Sequence, residues 1–248
     1  MDALIIAAGF GSRLREISDS KPMTPVAGVP LLELGVRQAK AAGAARVVVV
    51  TGHEADRLEA LLPALAARAG IAVEPARVED WVKPNGWSVI AGTERIAGNY
   101  LLMMSDHIFS APILSGLARQ GGADRGVTLA VDSRTDDPLI DPDDATWVER
   151  DHRGFIRAIG KTIPAYDAVD CGAFLCTPEL AEAIRGAIAA GQAGSLSEGM
   201  QRLADAGRAA TWEIGGAWWL DVDDPRAHRW AEAQAPQHLA EVYAAALS

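Results

Sequence analysis

The chain has 248 residues, 49% hydrophobic and 23% charged, enough to bury a substantial core in one large domain without disulfide support. A formal net charge of −10 disfavours general binding to nucleic-acid backbones, and no apolar run approaches the roughly 18–20 residues of a membrane span. Cys171 and Cys176 lack CxxC or zinc-type spacing and read as reduced, buried thiols of a cytoplasmic protein.

In chain order, "MDALII" reads directly as a strand, with no basic stretch or cleavage site for export before it. The segment 7–28, "AAGFGSRLREISDSKPMTPVAG", then runs to the next helix at 30–43. Strand-to-helix connections usually take about 2–6 residues, so a loop this long is expected to be functional. Strands at "ARVVVVTG", "IAVEPA", "NYLLMMSD" and "GVTLAVD" alternate with helical patterns at 54–69, 86–97 and 111–119. That alternation predicts an α/β fold: a doubly wound, mostly parallel sheet covered by helices on both faces. Such sheets bind ligands outside the carboxyl ends of their strands, where both the opening loop and "MMSDH" (103–107) fall.

From about residue 132 the pattern changes. "DSRTDDPLIDPDDA" reads as an acidic surface loop, and "TWVERDHRGFIRAIGKTI" as two short strands joined at "DHRG". A strand "DCGAFLC", helices near 178–190 and 197–206, a strand "ATWEI", the segment "GGAWWLDVDD" and two helical stretches complete the chain. The expectation is a single domain, 1–248, whose second half (132–248) adds a small β extension to the first (1–131).

"GFGSRL" departs from the dinucleotide fingerprint at Leu14, and no GK[ST] follows for a P-loop. What remains is a glycine-rich backbone able to offer N–H groups to phosphate oxygens, with Arg13 and Lys21 adding charge. Only four of the 23 basic residues are lysines, Lys21, Lys40, Lys83 and Lys161, and three of these fall in loops or at strand ends. Asp106, ending a buried strand, is costly to keep charged without a partner, and Mg²⁺ suits a carboxylate beside substrate phosphates. Asp221 and Asp223 supply further carboxylates, while Asp224 before Pro225 reads as a helix cap. Lys83, Asn85, Gly86 and Ser88 precede a helix whose N-terminus can face an anion or a base edge. Asp170 and Glu198 are further candidate polar residues, although Glu198 can equally form a capping box with Ser195.

Residues 7–30, "AAGFGSRLREISDSKPMTPVAGVP", resemble the signature GxGTRLxPLT…PKPLxPVxGxP of the nucleotidyltransferases that activate sugar phosphates, with Ser12 for the usual Thr. "NGWSV" (85–89), "LLMMSDHIFS" (101–110), "IGK" (159–161), "VDCGAFL" (169–175), "LSEG" (196–199) and "WWLDVDD" (218–224) follow in the order of CTP:inositol-1-phosphate cytidylyltransferases. The resemblance implies the Rossmann-like nucleotide-diphospho-sugar transferase fold, small-molecule substrates (CTP and inositol-1-phosphate), and Mg²⁺ as cofactor. It places the metal on Asp106 and on Asp221 or Asp223, with Asp221 favoured. It assigns Arg13 to the departing phosphates, Lys21 to the α-phosphate and Lys161 to the acceptor phosphate. Ala7, Ala8, Gly9, Gly11, Ser12, Thr51, Lys83, Asn85, Gly86 and Ser88 would bind the nucleotide, and Asp170, Gly172 and Glu198 the acceptor. A homodimer is compatible with it. The alternatives are another sugar-phosphate or alcohol-phosphate nucleotidyltransferase and a catalytically inactive nucleotide-binding module.

Overall fold

The computed structural model describes residues 1–120 and 125–244. The run DALII forms β1 (Asp2–Ile6). The loop after it makes two 3-10 turns, Ser12–Leu14 and Lys21–Met23. The two-residue strands β2 (Pro25–Val26) and β3 (Val29–Pro30) then lead into α1 (Leu31–Ala41). β4 (Arg46–Thr51), α2 (Ala55–Ala69), β5 (Ala72–Arg77) and α3 (Gly86–Thr93) follow. β6 (Tyr100–Met104) runs towards Asp106, and a short strand β7 (His107–Phe109) precedes α4 (Ala111–Arg119).

Beyond it lie β8 (Val127–Asp132), β9 (Trp147–Arg150), β10 (Ile156–Gly160) and the long β11 (Ala168–Cys176). The chain continues through α5 (Glu179–Ala189), α6 (Leu196–Asp205), β12 (Ala209–Glu213) and β13 (Trp219–Asp221). It ends on α7 (Pro225–His238) and α8 (Ala240–Ala244). Among the described residues no helix is long and apolar enough to cross a membrane.

β1 pairs in parallel with β4 and β6, and β4 with β5, as alternating strands and helices require. β11 enters antiparallel, pairing with β6, β8 and β9, and β12 runs parallel to β8. One sheet therefore carries both halves of the chain, and the expected division at 131/132 falls at the end of β8.

The period of two in β1 explains why that strand is apolar throughout. Leu4 and Ile6 face one core with Val89, Ile184 and Met200 from α3, α5 and α6. Ala3 and Ile5 face the other, with Val36, Leu62 and Ile113 from α1, α2 and α4. A third cluster, including Leu14, Val26, Leu220, Val222 and Leu239, lies beneath the glycine-rich loop. It ties that loop to β13 and the C-terminal helices.

Candidate active site

The site begins at the carboxyl end of β1. Ala7 and Ala8 are buried, and Ala7 N–H donates to Val50 O at 2.9 Å, so the chain leaves the sheet in a fixed direction. Gly11 then adopts φ 62°, the left-handed region, and a Cβ there would stand 2.4 Å from Lys21 Cβ. Glycine at 11 thus lets the lysine stem cross the turn. Lys21 Nζ ends 2.5 Å from Asp106 Oδ2.

The unforeseen strand β7 brings the two acidic motifs together. Its antiparallel pairing with β13 sets His107 opposite Asp221, and Val222 N–H donates to Asp106 O at 2.8 Å. A three-residue strand carries too little periodicity to be read from "HIFS" alone. His107 Nδ1 lies 2.7 Å from Asp106 Oδ1 and 3.7 Å from Asp221 Oδ1. Its ring stacks on Trp219, centroids 5.9 Å apart. Gly172, at φ 75°, permits this: a Cβ there would come within 2.5 Å of the imidazole.

Charge in this cluster is tightly balanced. Burial works against the charge on Asp106, but Lys21 and His107 outweigh it and hold the carboxyl well below the usual range. Burial opposes the imidazolium of His107 too, yet Asp221 and Asp106 lift it to about 9. Burial, with Asp106 nearby, pushes Asp221 up to about 7. Asp221 Oδ1 is buried and accepts no hydrogen bond. A buried carboxylate oxygen with no hydrogen bond, beside a second carboxylate, fits a hard divalent cation as a further ligand. Asp221 stands in one group with Asp106 and His107, and in a second with Asp144 and Asp223. Asp223 differs, because Arg13 Nη2 lies 2.5 Å from its Oδ2.

The cleft has two lobes. One, of about 190 Å³, is lined by Ala7, Ala8, Gly9, Gly11, Lys83, Asn85 and Ser88. The other, of about 320 Å³, is lined by Arg13, Lys161, Asp170, Gly172, Asp221 and Asp223. Lys21, Asn85, Met104 and Asp106 border both lobes, so the Lys21–Asp106 pair stands where they meet. Asp170 accepts from Gly172 N–H at 2.7 Å, and burial pushes its carboxyl up to about 6.

Four expected site residues lie elsewhere. Ser12 begins a 3-10 turn and lines neither lobe. Thr51 is fully buried behind the cleft, and its Oγ1 donates to Glu59 Oε1 at 2.6 Å. Gly86 serves helix packing: a Cβ there would meet Gly194 O at 2.3 Å. Glu198 closes a capping box with Ser195 and accepts from the N–H groups of Gly194 and Ser195, both at 2.7 Å. Its carboxylate therefore fixes the start of α6 and lines neither lobe.

Other residues join the cleft unannounced. Trp81 lines the smaller lobe, in an aromatic group with Phe10 and His53. Its tryptophan-to-lysine spacing in "DWVKPN" was the available signal. Asp132 accepts from Trp219 Nε1–H at 2.8 Å and pairs with Arg134 at the edge of the larger lobe. The acidic run 132–145 lies largely at the surface, as expected, and borders the larger lobe, where Asp144 contacts both Arg13 and Lys161.

Residues 3–159 match the model of the MobA-like NTP transferase domain. The bifunctional IPC transferase and DIPP synthase of Rubrobacter xylanophilus is 35% identical over 93% of this chain and 51% of its own length. The protein of the same name from Aquifex aeolicus is 29% identical over 90% of this chain and 49% of its own. The chain thus spans about half the length of these curated relatives. An inositol-1-phosphate CTP transferase from T. maritima superposes with a TM-score of 0.82 at 22% identity, covering 95% of this chain and 96% of that one. A UDP-glucose pyrophosphorylase complexed with UDP-glucose gives 0.79 at 16%, over 95% and 98%. At these identities the two structures speak for the fold.

Proposed function

We propose that this chain, which belongs to the MobA-like NTP transferase family, transfers CMP from CTP to inositol-1-phosphate with the help of Mg²⁺, releasing CDP-inositol and pyrophosphate. The observation that carries the reading is the Lys21–Asp106 pair at the junction of two lobes. A nucleotide in the smaller lobe and a phosphate acceptor in the larger would meet there. The name of the T. maritima protein of the same fold supplies the choice of CTP and inositol-1-phosphate.

An acceptor phosphate oxygen attacks the α-phosphorus. The bond from that phosphorus to the bridging oxygen breaks, and pyrophosphate departs with the electron pair. No protein nucleophile is needed; the residues position the reactants and meet developing charge. Lys21 faces the α-phosphate, Arg13 the departing β- and γ-phosphates, and Lys161 the acceptor phosphate. Asp170 accepts a hydrogen bond from an acceptor hydroxyl. Asp106 and Asp221 would hold the Mg²⁺, which, when bound, offsets phosphate charge as a Lewis acid. Asp223, engaged by Arg13, is the weaker candidate. The free thiols of Cys171 and Cys176 are both buried, consistent with a cytoplasmic setting.

The test is pyrophosphate release with Mg²⁺ across a panel of nucleotides and phosphates. The highest kcat/KM is expected for CTP with inositol-1-phosphate. Faster turnover of UTP or dTTP with a hexose-1-phosphate would leave only the family. No release from any pair would favour a binding module.

A further inference from the structure

The two cations assigned to different phosphates share one carboxylate. Asp144 Oδ2 pairs with Arg13 Nη2, and Asp144 Oδ1 pairs with Lys161 Nζ. Each oxygen faces its own cation, as two oxygens of a phosphate would. Arg13 is further crowded by Asp223 at 2.5 Å and Asp141 at 3.8 Å.

This contact is built into the loop between β8 and β9. Leu139 packs against the cluster containing Leu220 and Val222. Arg226 Nη2 donates to Pro138 O at 3.0 Å. The N–H groups of Asp144 and Ala145 both donate to Asp141 O, at 3.2 and 2.8 Å. At its far end, Thr146 O accepts from Asp170 N–H at 2.9 Å, fastening the loop to β11. The backbone is thereby held while the carboxylate can exchange partners, since the side chains of Arg13 and Lys161 are 47% and 56% exposed.

We infer that Asp144 is a specificity-determining residue: in the free protein its carboxylate bridges Arg13 and Lys161, and it yields to anions that engage both cations and other groups of the cleft together. The inference rests on the proposed phosphate-binding roles of those two residues. A single phosphate competes poorly against a tethered carboxylate whose effective concentration is high. A single phosphate can bridge the pair only as the carboxylate does, whereas a polyphosphate chain, or a triphosphate together with an acceptor phosphate, replaces both contacts and adds others in the cleft. Asp144 thereby excludes free inorganic phosphate from a site rich in phosphate-binding groups.

The test is calorimetric titration of wild type, Asp144→Asn and Asp144→Ala with inorganic tripolyphosphate and, separately, inorganic phosphate in metal-free buffer. Thermal melts of each protein establish that it is folded. Both variants should bind tripolyphosphate roughly three- to tenfold more tightly than wild type, the range expected from releasing two partly exposed ion pairs. Their gain for inorganic phosphate should be larger still, narrowing the discrimination between the two anions. Adding Arg13→Gln to Asp144→Asn should remove most of the gain. Affinity that is unchanged or weaker in both variants overturns the inference. Turnover in the substrate panel is a separate readout. A protein that turns over CTP while Asp144→Asn binds no more tightly keeps the function and loses this inference. One that turns over nothing while the variant binds more tightly does the reverse.

Discussion

Lys21 reaches Asp106 because Gly11 carries no side chain, and that dependence can be tested one residue at a time. A methyl at Gly11 would both clash with Lys21 Cβ and occupy a left-handed backbone. Gly11→Ala is expected to lower kcat/KM by about a hundredfold, the scale of a 1 Å misplacement of a catalytic group, at a stability cost of about 1 kcal/mol. Lys21→Ala should lower kcat far more than it raises the nucleotide KM, because charge at the α-phosphate grows most in the transition state. A change confined to KM would contradict that role. Asp106→Asn should remove turnover and also destabilise the fold by about 2 kcal/mol, since it strips the counter-charge from a lysine whose side chain is only 15% exposed. Denaturant unfolding beside steady-state kinetics separates the two effects. The glycines, Arg13, Lys21 and Asp106 were legible as residue types in a pattern. Their pairing partners were not, because no local rule places residue 21 against residue 106.

At the scale of elements, α6 and α1 make opposite kinds of prediction. The capping box at the start of α6 assigns Glu198 to the backbone. Glu198→Gln should therefore cost about 1 kcal/mol and leave the acceptor KM unchanged. A several-fold rise in that KM would restore Glu198 to the acceptor site. In α1, Glu33 is buried and is bonded by Arg37 and by Arg68 Nε and Nη2 at 2.9 and 2.7 Å. Burial opposes its charge, yet these hydrogen bonds and charges lower its pKa below the ordinary 4.5. A lowered folded-state pKa means the stabilisation is present above that ordinary value and is lost as pH falls through the folded one. Glu33→Gln should cost about 3 kcal/mol at neutral pH and flatten the acid limb of the stability curve. Chemical denaturation from pH 3 to 8 measures both. Helix boundaries were readable here from apolar periodicity: 54–69 was expected, and Ala55–Ala69 is found. The strand β7 was not, since its existence depends on β13, over a hundred residues away.

Across the whole molecule, a chain of net charge −10 gathers Arg13, Lys21, Lys83 and Lys161 around one cleft of two lobes. The separation of the lobes predicts separable kinetics. Trp81 lines only the smaller lobe, proposed for the nucleotide, so Trp81→Ala should raise the CTP KM about tenfold through lost stacking area, with the acceptor KM unchanged. Equal increases in both would mean that the lobes do not act separately. The sequence by itself determined the α/β alternation, the two buried faces of the sheet and most of the residues that line the two lobes, because periodicity and glycine or lysine chemistry are local properties of a chain. Only the tertiary structure decided that Lys21 pairs with Asp106, that Thr51 points at Glu59, and that Asp144 comes to lie between Arg13 and Lys161. A carboxylate or hydroxyl can satisfy itself with any donor or acceptor within reach, and which groups are within reach is set by how distant elements pack.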